Sequence, residues 1–169
     1  IGILPNYSQT IAGEPAGDLG VLYQANGAGV GGATYTLSFF DHDSNFTTPF
    51  VVPAMSMMIY DVDGESFQSE SVRAFMSDGF VSYNLGTAPA HLVAAPEADS
   101  YVFNGPGYNT AETDPTAAVI LNFENTSSIR FSFESSTLDS SPLPNPIFSG
   151  IDGDLSMLKG DLTGFTDAI

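Results

Sequence analysis

The sequence predicts an all-β chain folded as a two-sheet antiparallel β-sandwich, immunoglobulin-like or jelly-roll-like. Three observations lead there. First, 17 Gly and 11 Pro are spread along 169 residues, the punctuation of many short strands joined by turns. Second, the best-defined segments alternate apolar and polar residues with a period of two, the spacing of a strand buried on one face. Third, apolar residues at i, i+3, i+4 and i+7 are nowhere sustained without a Gly or Pro, so no amphipathic helix is expected. With 43% apolar residues, the chain has enough hydrophobic material for the core of one domain.

Residues 1–32 read as an extended N-terminal segment with a Gly-rich hinge, and 33–169 as the sandwich domain. The run Asn26-Gly27-Ala28-Gly29-Val30-Gly31-Gly32 is permissive at nearly every φ/ψ and reads as a flexible approach to the first full strand. From Ala33, Tyr35, Leu37 and Phe39 share one face of a strand that ends in the polar loop Asp41–Thr48. Phe50 to Tyr60 is apolar almost throughout, as expected of a central strand buried on both sides, with Pro53 marking a bend or an exposed edge. Short candidates follow at Ser71–Met76, Phe80–Tyr83, Ala90–Ala94 and Ser100–Phe103. Ala117–Phe123 and the alternating Ser128–Phe133 flank Asn125-Thr126-Ser127, so 117–133 reads as a β-hairpin. Pro142, Pro144 and Pro146 stiffen a linker-like stretch before Ile147–Ile151 and a last segment, Leu155–Phe165. No internal repeat is visible, which argues against a propeller or solenoid.

Three basic residues stand against 20 acidic ones, for a formal net charge of −17. Nucleic acid and anionic membrane surfaces are therefore poor partners, because phosphate contacts need clustered Lys and Arg. The acidity fits a solvated surface that keeps an exported protein soluble, or a chain partly neutralised by divalent cations. With no Cys, there is no disulfide scaffold, thiolate nucleophile or Cys-based zinc site. No apolar run approaches a membrane span. The chain opens at Ile1 without a signal-peptide pattern and is read as a mature product or an excised fragment.

Asn-x-Ser/Thr sequons at Asn6, Asn45 and Asn125 are candidate sites for N-linked glycans on exposed turns. The Asp-rich stretches 41–45 and 61–65 each follow a strong strand. Asp41, Asp43, Asp61 and Asp63 are candidate calcium ligands, provided that neighbouring loops at one end of the sandwich bring them together. The spacing is not that of an EF-hand: counting from Asp61, position six is Ser66 and position twelve Val72. Asp152-Gly153-Asp154 reads as a Gly-containing turn. Catalysis is poorly supplied. His42 and His91 are the histidines present, no Gly-x-Ser-x-Gly elbow surrounds a serine, and His91 reads as a strand-edge residue with a satisfied ring. Glu65, Glu70 and Glu124 are the carboxylates nearest strand ends, with nothing to single out a glycosidase pair.

The stretch Ser38-Phe39-Phe40-Asp41, followed by Met58-Ile59-Tyr60-Asp61-Val62-Asp63-Gly64-Glu65 and later by Asn125 through Phe133, resembles a pattern in β-sandwich modules of large microbial surface adhesins and extracellular filament subunits. The resemblance implies an extracellular or cell-surface β-sandwich working in adhesion or as a fibre building block, and implies no catalytic residue. The apolar terminus adds to this: Ile1, Ile3 and Leu4 are candidates for a strand that pairs with the next copy, a head-to-tail contact that produces filaments. The competing arrangement docks that strand on its own domain. The expectation is thus a non-enzymatic, glycosylated structural subunit whose partners are copies of itself. The alternative is a calcium-dependent carbohydrate-binding module.

Overall fold

The computed structural model describes residues 2–4, 19–24, 29–86, 91–110, 114–137, 147–152 and 165–167. In chain order its strands are β1 (Gly2–Leu4), β2 (Leu19–Gln24), β3 (Gly29–Ser38), β4 (Val52–Tyr60), β5 (Gly64–Glu65), β6 (Gln68–Phe75), β7 (Phe80–Gly86), β8 (Val93–Pro96), β9 (Ser100–Asn104), β10 (Val119–Thr126), β11 (Ser128–Thr137), β12 (Ile147–Asp152) and β13 (Phe165–Asp167). All pair antiparallel. One sheet runs β1-β2-β12-β4-β10-β7-β13 and the other β3-β11-β6-β9-β8, with β5 added beside β6. The chain is an all-β two-sheet sandwich, as its period-two patterning predicts.

The core lies between the sheets. Met57, Ile59, Val119, Leu121 and Phe123 face inward from the first sheet, and Val72, Ala74, Phe103, Ile129, Phe131 and Phe133 from the second. The alternation expected at 128–133 is observed: Ile129, Phe131 and Phe133 are buried and stand opposite Leu37, Tyr35 and Ala33 of β3. Tyr83 and Phe103 meet edge to face at 4.9 Å, and Phe80 and Phe123 at 5.7 Å. Such pairs add about 0.5–1.5 kcal/mol each beyond area burial.

The C-terminal half of β4 is buried on both faces, Met57 to Tyr60 without exception, as the apolar run predicts. β12 pairs β4 only at Met58–Tyr60, so at exposed Pro53 the strand has a described neighbour on one side alone. A residue without an N–H fits there.

Two expectations are corrected. Residues 117–133 do not form a hairpin: β10 pairs with β4 and β7 in one sheet, β11 with β3 and β6 in the other. Asn125 takes a positive φ of 50°, and the chain arches between the sheets within two residues, with the Thr126 Oγ1 donating to the Ser128 carbonyl at 2.6 Å. The division at 32/33 also falls inside a strand. β3 begins at Gly29 and pairs residue by residue with β11 to Ser38, while β2 and β1 extend the first sheet. Gly32 suits a strand interior here because a Cβ would stand 2.5 Å from the Phe133 carbonyl oxygen. The Pro142–Pro146 stretch, the Gly153-Asp154 turn and most of 155–165 lie outside the described residues.

Candidate functional site

The loops gather at two ends of the sandwich. At one end the 39–51 loop meets the β10–β11 arch through Phe39 N–H to Ser127 O, 2.8 Å, and the arch meets the β6–β7 turn through Glu124 N–H to Gly79 O, 2.8 Å. At the other end the 61–63 turn meets Ala117, and β6 meets Gly105: Val62 N–H donates to Ala117 O at 3.0 Å, and Gly105 N–H to Glu70 O at 2.8 Å. The nine residues of β4 separate these ends by about 30 Å.

That separation corrects the expectation that neighbouring loops bring the four aspartates together. Asp41 and Asp43 lie at the first end, exposed, with the Asp43 carboxylate 2.9 Å from His42 Nδ1. Asp61 and Asp63 lie at the second. The fold therefore does not bring the four carboxylates to one ion, because the strand joining the two clusters runs the length of the sandwich. Among the described residues no three His, Cys, Asp or Glu side chains converge as a metal-holding group.

The second end nevertheless holds an unusual polar pocket. Asp63 is buried, and its Oδ2 accepts from Thr110 N–H at 2.5 Å and Thr110 Oγ1 at 3.0 Å. Glu70 N–H donates to Asp63 O at 3.0 Å, setting the two residues side by side. Gly64 makes this approach possible: at φ 153°, a Cβ there would stand 2.3 Å from the Gln68 carbonyl oxygen. On β6, Gln68 and Glu70 point inward, the former 3% and the latter 6% exposed. Burial first, then the charges of Asp63 and Asp61, push the Glu70 carboxyl up to about 9, against hydrogen bonds from the Asp63 backbone and the Gln68 side chain. Sequence reasoning took Asp63 and Glu70 separately and missed Gln68 and its neighbours, since polar residues on both faces of β6's first turn give no alternation to read.

His91 fits its reading as a satisfied ring. Its Nδ1 lies 2.9 Å from Thr116 Oγ1, and Thr116 Oγ1 donates to Asp114 Oδ1 at 2.6 Å. The carboxylate thus contacts the hydroxyl rather than the imidazole, the wrong order for a triad that activates a nucleophile. Asp114 also accepts from Thr116 N–H at 2.9 Å, so the group caps the short 3-10 turn Pro115–Ala117. Of the three glutamates, Glu65 and Glu70 lie at this end and exposed Glu124 near the other.

Two of the sequons fall on described residues. Asn45 and Asn125 are exposed at the same end, each with positive φ; Asn6 lies outside the described residues. Asn45 (φ 48°) and Phe46 (φ 60°) are the central pair of a type I′ turn closed by Thr47 N–H to Ser44 O, 3.2 Å. Phe46 is 79% exposed and meets Phe40 edge to face at 5.9 Å. Phe50, Val51 and Met76 are exposed at the same end. Nothing in the residue pattern of the 41–48 loop marks this aromatic display, which depends on backbone conformation.

On the outer face of the first sheet, Ser56 Oγ donates to Asn122 Oδ1 at 2.7 Å, and Asn122 Nδ2 to Ser82 Oγ at 3.0 Å and Asn84 Oδ1 at 2.9 Å. This ladder floors a shallow groove of about 470 Å³ that Glu124 and Val81 also line. Of the proposed assembly residues, Ile3 and Leu4 form β1 and pair with Tyr23 and Leu22 of the same chain; Ile1 lies outside the described residues. No described helix is long and apolar enough to cross a membrane. Comparison of the chain with protein-family models, with curated proteins and with solved structures returns no match.

Proposed function

We propose that the chain is a non-enzymatic structural module of an extracellular, glycosylated fibre or adhesin, and that its partners are further copies of itself. The observation that carries this reading is β3. It is ten residues long, and among the described strands it has a neighbour on one side alone. Edge strands are commonly blunted by Lys, Pro or a bulge. β3 has none of these in its unbroken register with β11, and no charged residue occurs between Asp18 and Asp41. In a chain of net charge −17, an uncharged edge is where a second copy can approach against the least repulsion. Leu37 faces inward at this edge and is 40% exposed, so an added strand would complete a core position.

A contact between two different edges does not close and yields a filament. The N-terminal strand with Ile1, Ile3 and Leu4 is the donor we favour, because among the described residues three pairs hold β1 at home. N-linked glycans on Asn45 and Asn125 would decorate one end of each module, and Asn6 is the third candidate attachment site. The test compares Thr34→Lys/Ser38→Lys and a deletion of 1–5 with the unaltered chain by light scattering and electron microscopy. Loss of assembly in both variants is expected; assembly by both would refute the β3 joint.

A second reading, carbohydrate binding, draws on the Ser56–Asn122–Ser82 groove, whose hydroxyl and amide groups are of the kind that bind sugar hydroxyls. A glycan array run with the unaltered chain and with Asn122→Ala tests it. No glycan whose binding depends on Asn122 would dispose of it.

A further inference from the structure

We propose that Asp63, Glu70, Gln68 and Ser135 form a buried site for one divalent cation, calcium by the chemistry of the donors. Its starting point is a cluster of buried oxygens. Gln68 Oε1, Glu70 Oε2 and Ser135 Oγ are buried and have no hydrogen-bond partner within the described chain. Their residues are respectively 3%, 6% and 2% exposed. Buried polar atoms are nearly always partnered, and an orphan needs an explanation such as an ion or an ordered water. Three orphans in one place need a shared one.

The register puts them in one place. Gln68 and Glu70 are alternate residues on the inward face of β6, about 7 Å apart along the strand. Ser135 of β11 stands directly opposite Glu70, at the 4.5–5.5 Å of cross-strand neighbours. Asp63 flanks Glu70 on the other side, its carbonyl taking the Glu70 N–H, and Thr110 fixes the Asp63 carboxylate by two hydrogen bonds to one oxygen.

Charge points the same way. Two carboxyl groups share this pocket and a bound cation would let both ionise, while the described basic side chains are committed elsewhere: Arg73 to Glu134 and Glu97, Arg130 to Asp78. The donors are carboxylate, amide and hydroxyl oxygens with no nitrogen or sulfur, a set that suits a hard cation. Calcium accepts such mixed oxygens in irregular geometry, whereas magnesium demands a near-ideal octahedron and retains its waters. An ion there would tie the 61–63 turn to β6 and β11 in a domain with no disulfide. Asp41 and Asp43, at the far end, take no part.

The test is calorimetric titration of the full chain, freed of metal by EDTA and dialysed into about 0.15 M salt, where diffuse attraction to the acidic surface is screened. One saturable calcium site is expected, with Kd of order 10⁻⁴–10⁻³ M, the range of extracellular modules with few charged ligands. Glu70→Gln should weaken it at least about tenfold, and Asp41→Asn/Asp43→Asn should leave it unchanged. Gln68→Glu, which adds a ligand charge, should tighten it, and calcium should raise that variant's melting temperature more than the wild type's. Absence of a saturable site would overturn the proposal and leave water as the occupant. Binding that ignores both Glu70→Gln and Gln68→Glu would overturn it equally, by placing the ion on the outer surface.

Discussion

At the residue scale, the same amino-acid type carries opposite roles according to where the backbone holds it. Phe133 is fully buried in the inter-sheet core, where removing the ring leaves a cavity. Phe133→Ala should cost about 3–5 kcal/mol in urea unfolding. Phe46 occupies a left-handed conformation that costs a bulky residue about 1–2 kcal/mol, and its ring is mostly in water. Phe46→Gly, which creates the Asn-Gly pair that type I′ turns favour, should be neutral or stabilising by up to about 1 kcal/mol. A clear loss of stability would mean that the contact with Phe40 outweighs the strain.

Charge pairs at this scale set the response to acid. The Arg73 hydrogen bond, working against burial, holds the Glu134 carboxyl below its usual range. A carboxyl lowered in the folded state contributes stability that is complete above its unfolded value, about 4.3, and is lost as pH falls through the folded value. The pair is partly exposed, so its worth is about 1 kcal/mol at most. Glu134→Gln should therefore lower the melting temperature at pH 7 and differ little from wild type near pH 3. An equal deficit at both pH values would show that packing, not charge, was lost.

At the scale of elements, the core-facing residues were legible and the connections were not. The alternation at 128–133 reports which side chains point inward, a property of one strand by itself. Which sheet that strand joins depends on its partners, and a short turn containing Asn serves a hairpin and an arch equally. The arch is built on a close approach: a Cβ on Gly79 would stand 2.4 Å from the Glu124 carbonyl oxygen, and its φ is 82°. Gly79→Ala is expected to cost about 1–3 kcal/mol, measurable by urea unfolding. A cost well below about 1 kcal/mol would contradict both the left-handed backbone at Gly79 and its close approach to Glu124.

The start of β3 was hidden for a related reason. Glycines that permit any backbone conformation also permit a strand pressed against its neighbour, and composition does not distinguish the two. The polar pocket was hidden by its own chemistry. Gln68, Glu70 and Ser135 occupy inward positions where the period-two pattern calls for apolar residues, so they blur the signal that would have revealed them. Asp63 was legible because Asp and Gly together mark a turn. Its separation from Asp41 and Asp43 was legible as well, because the strand read at Phe50–Tyr60 lies between the two clusters and carries them to opposite ends.

At the scale of the whole molecule, the acidic charge and the uncharged edge belong to one account. A net charge of −17 repels copies wherever acidic faces meet, and on the proposed reading they would join at a surface such as β3 that carries no charge. The sharpest test is electron microscopy of the protein as isolated from its source, without refolding or tags. The account predicts ordered filaments with an axial repeat of about 30–40 Å, the span of one module whose longest strands are about ten residues. Dispersed single modules at high concentration, with β1 still paired to β2, would contradict it.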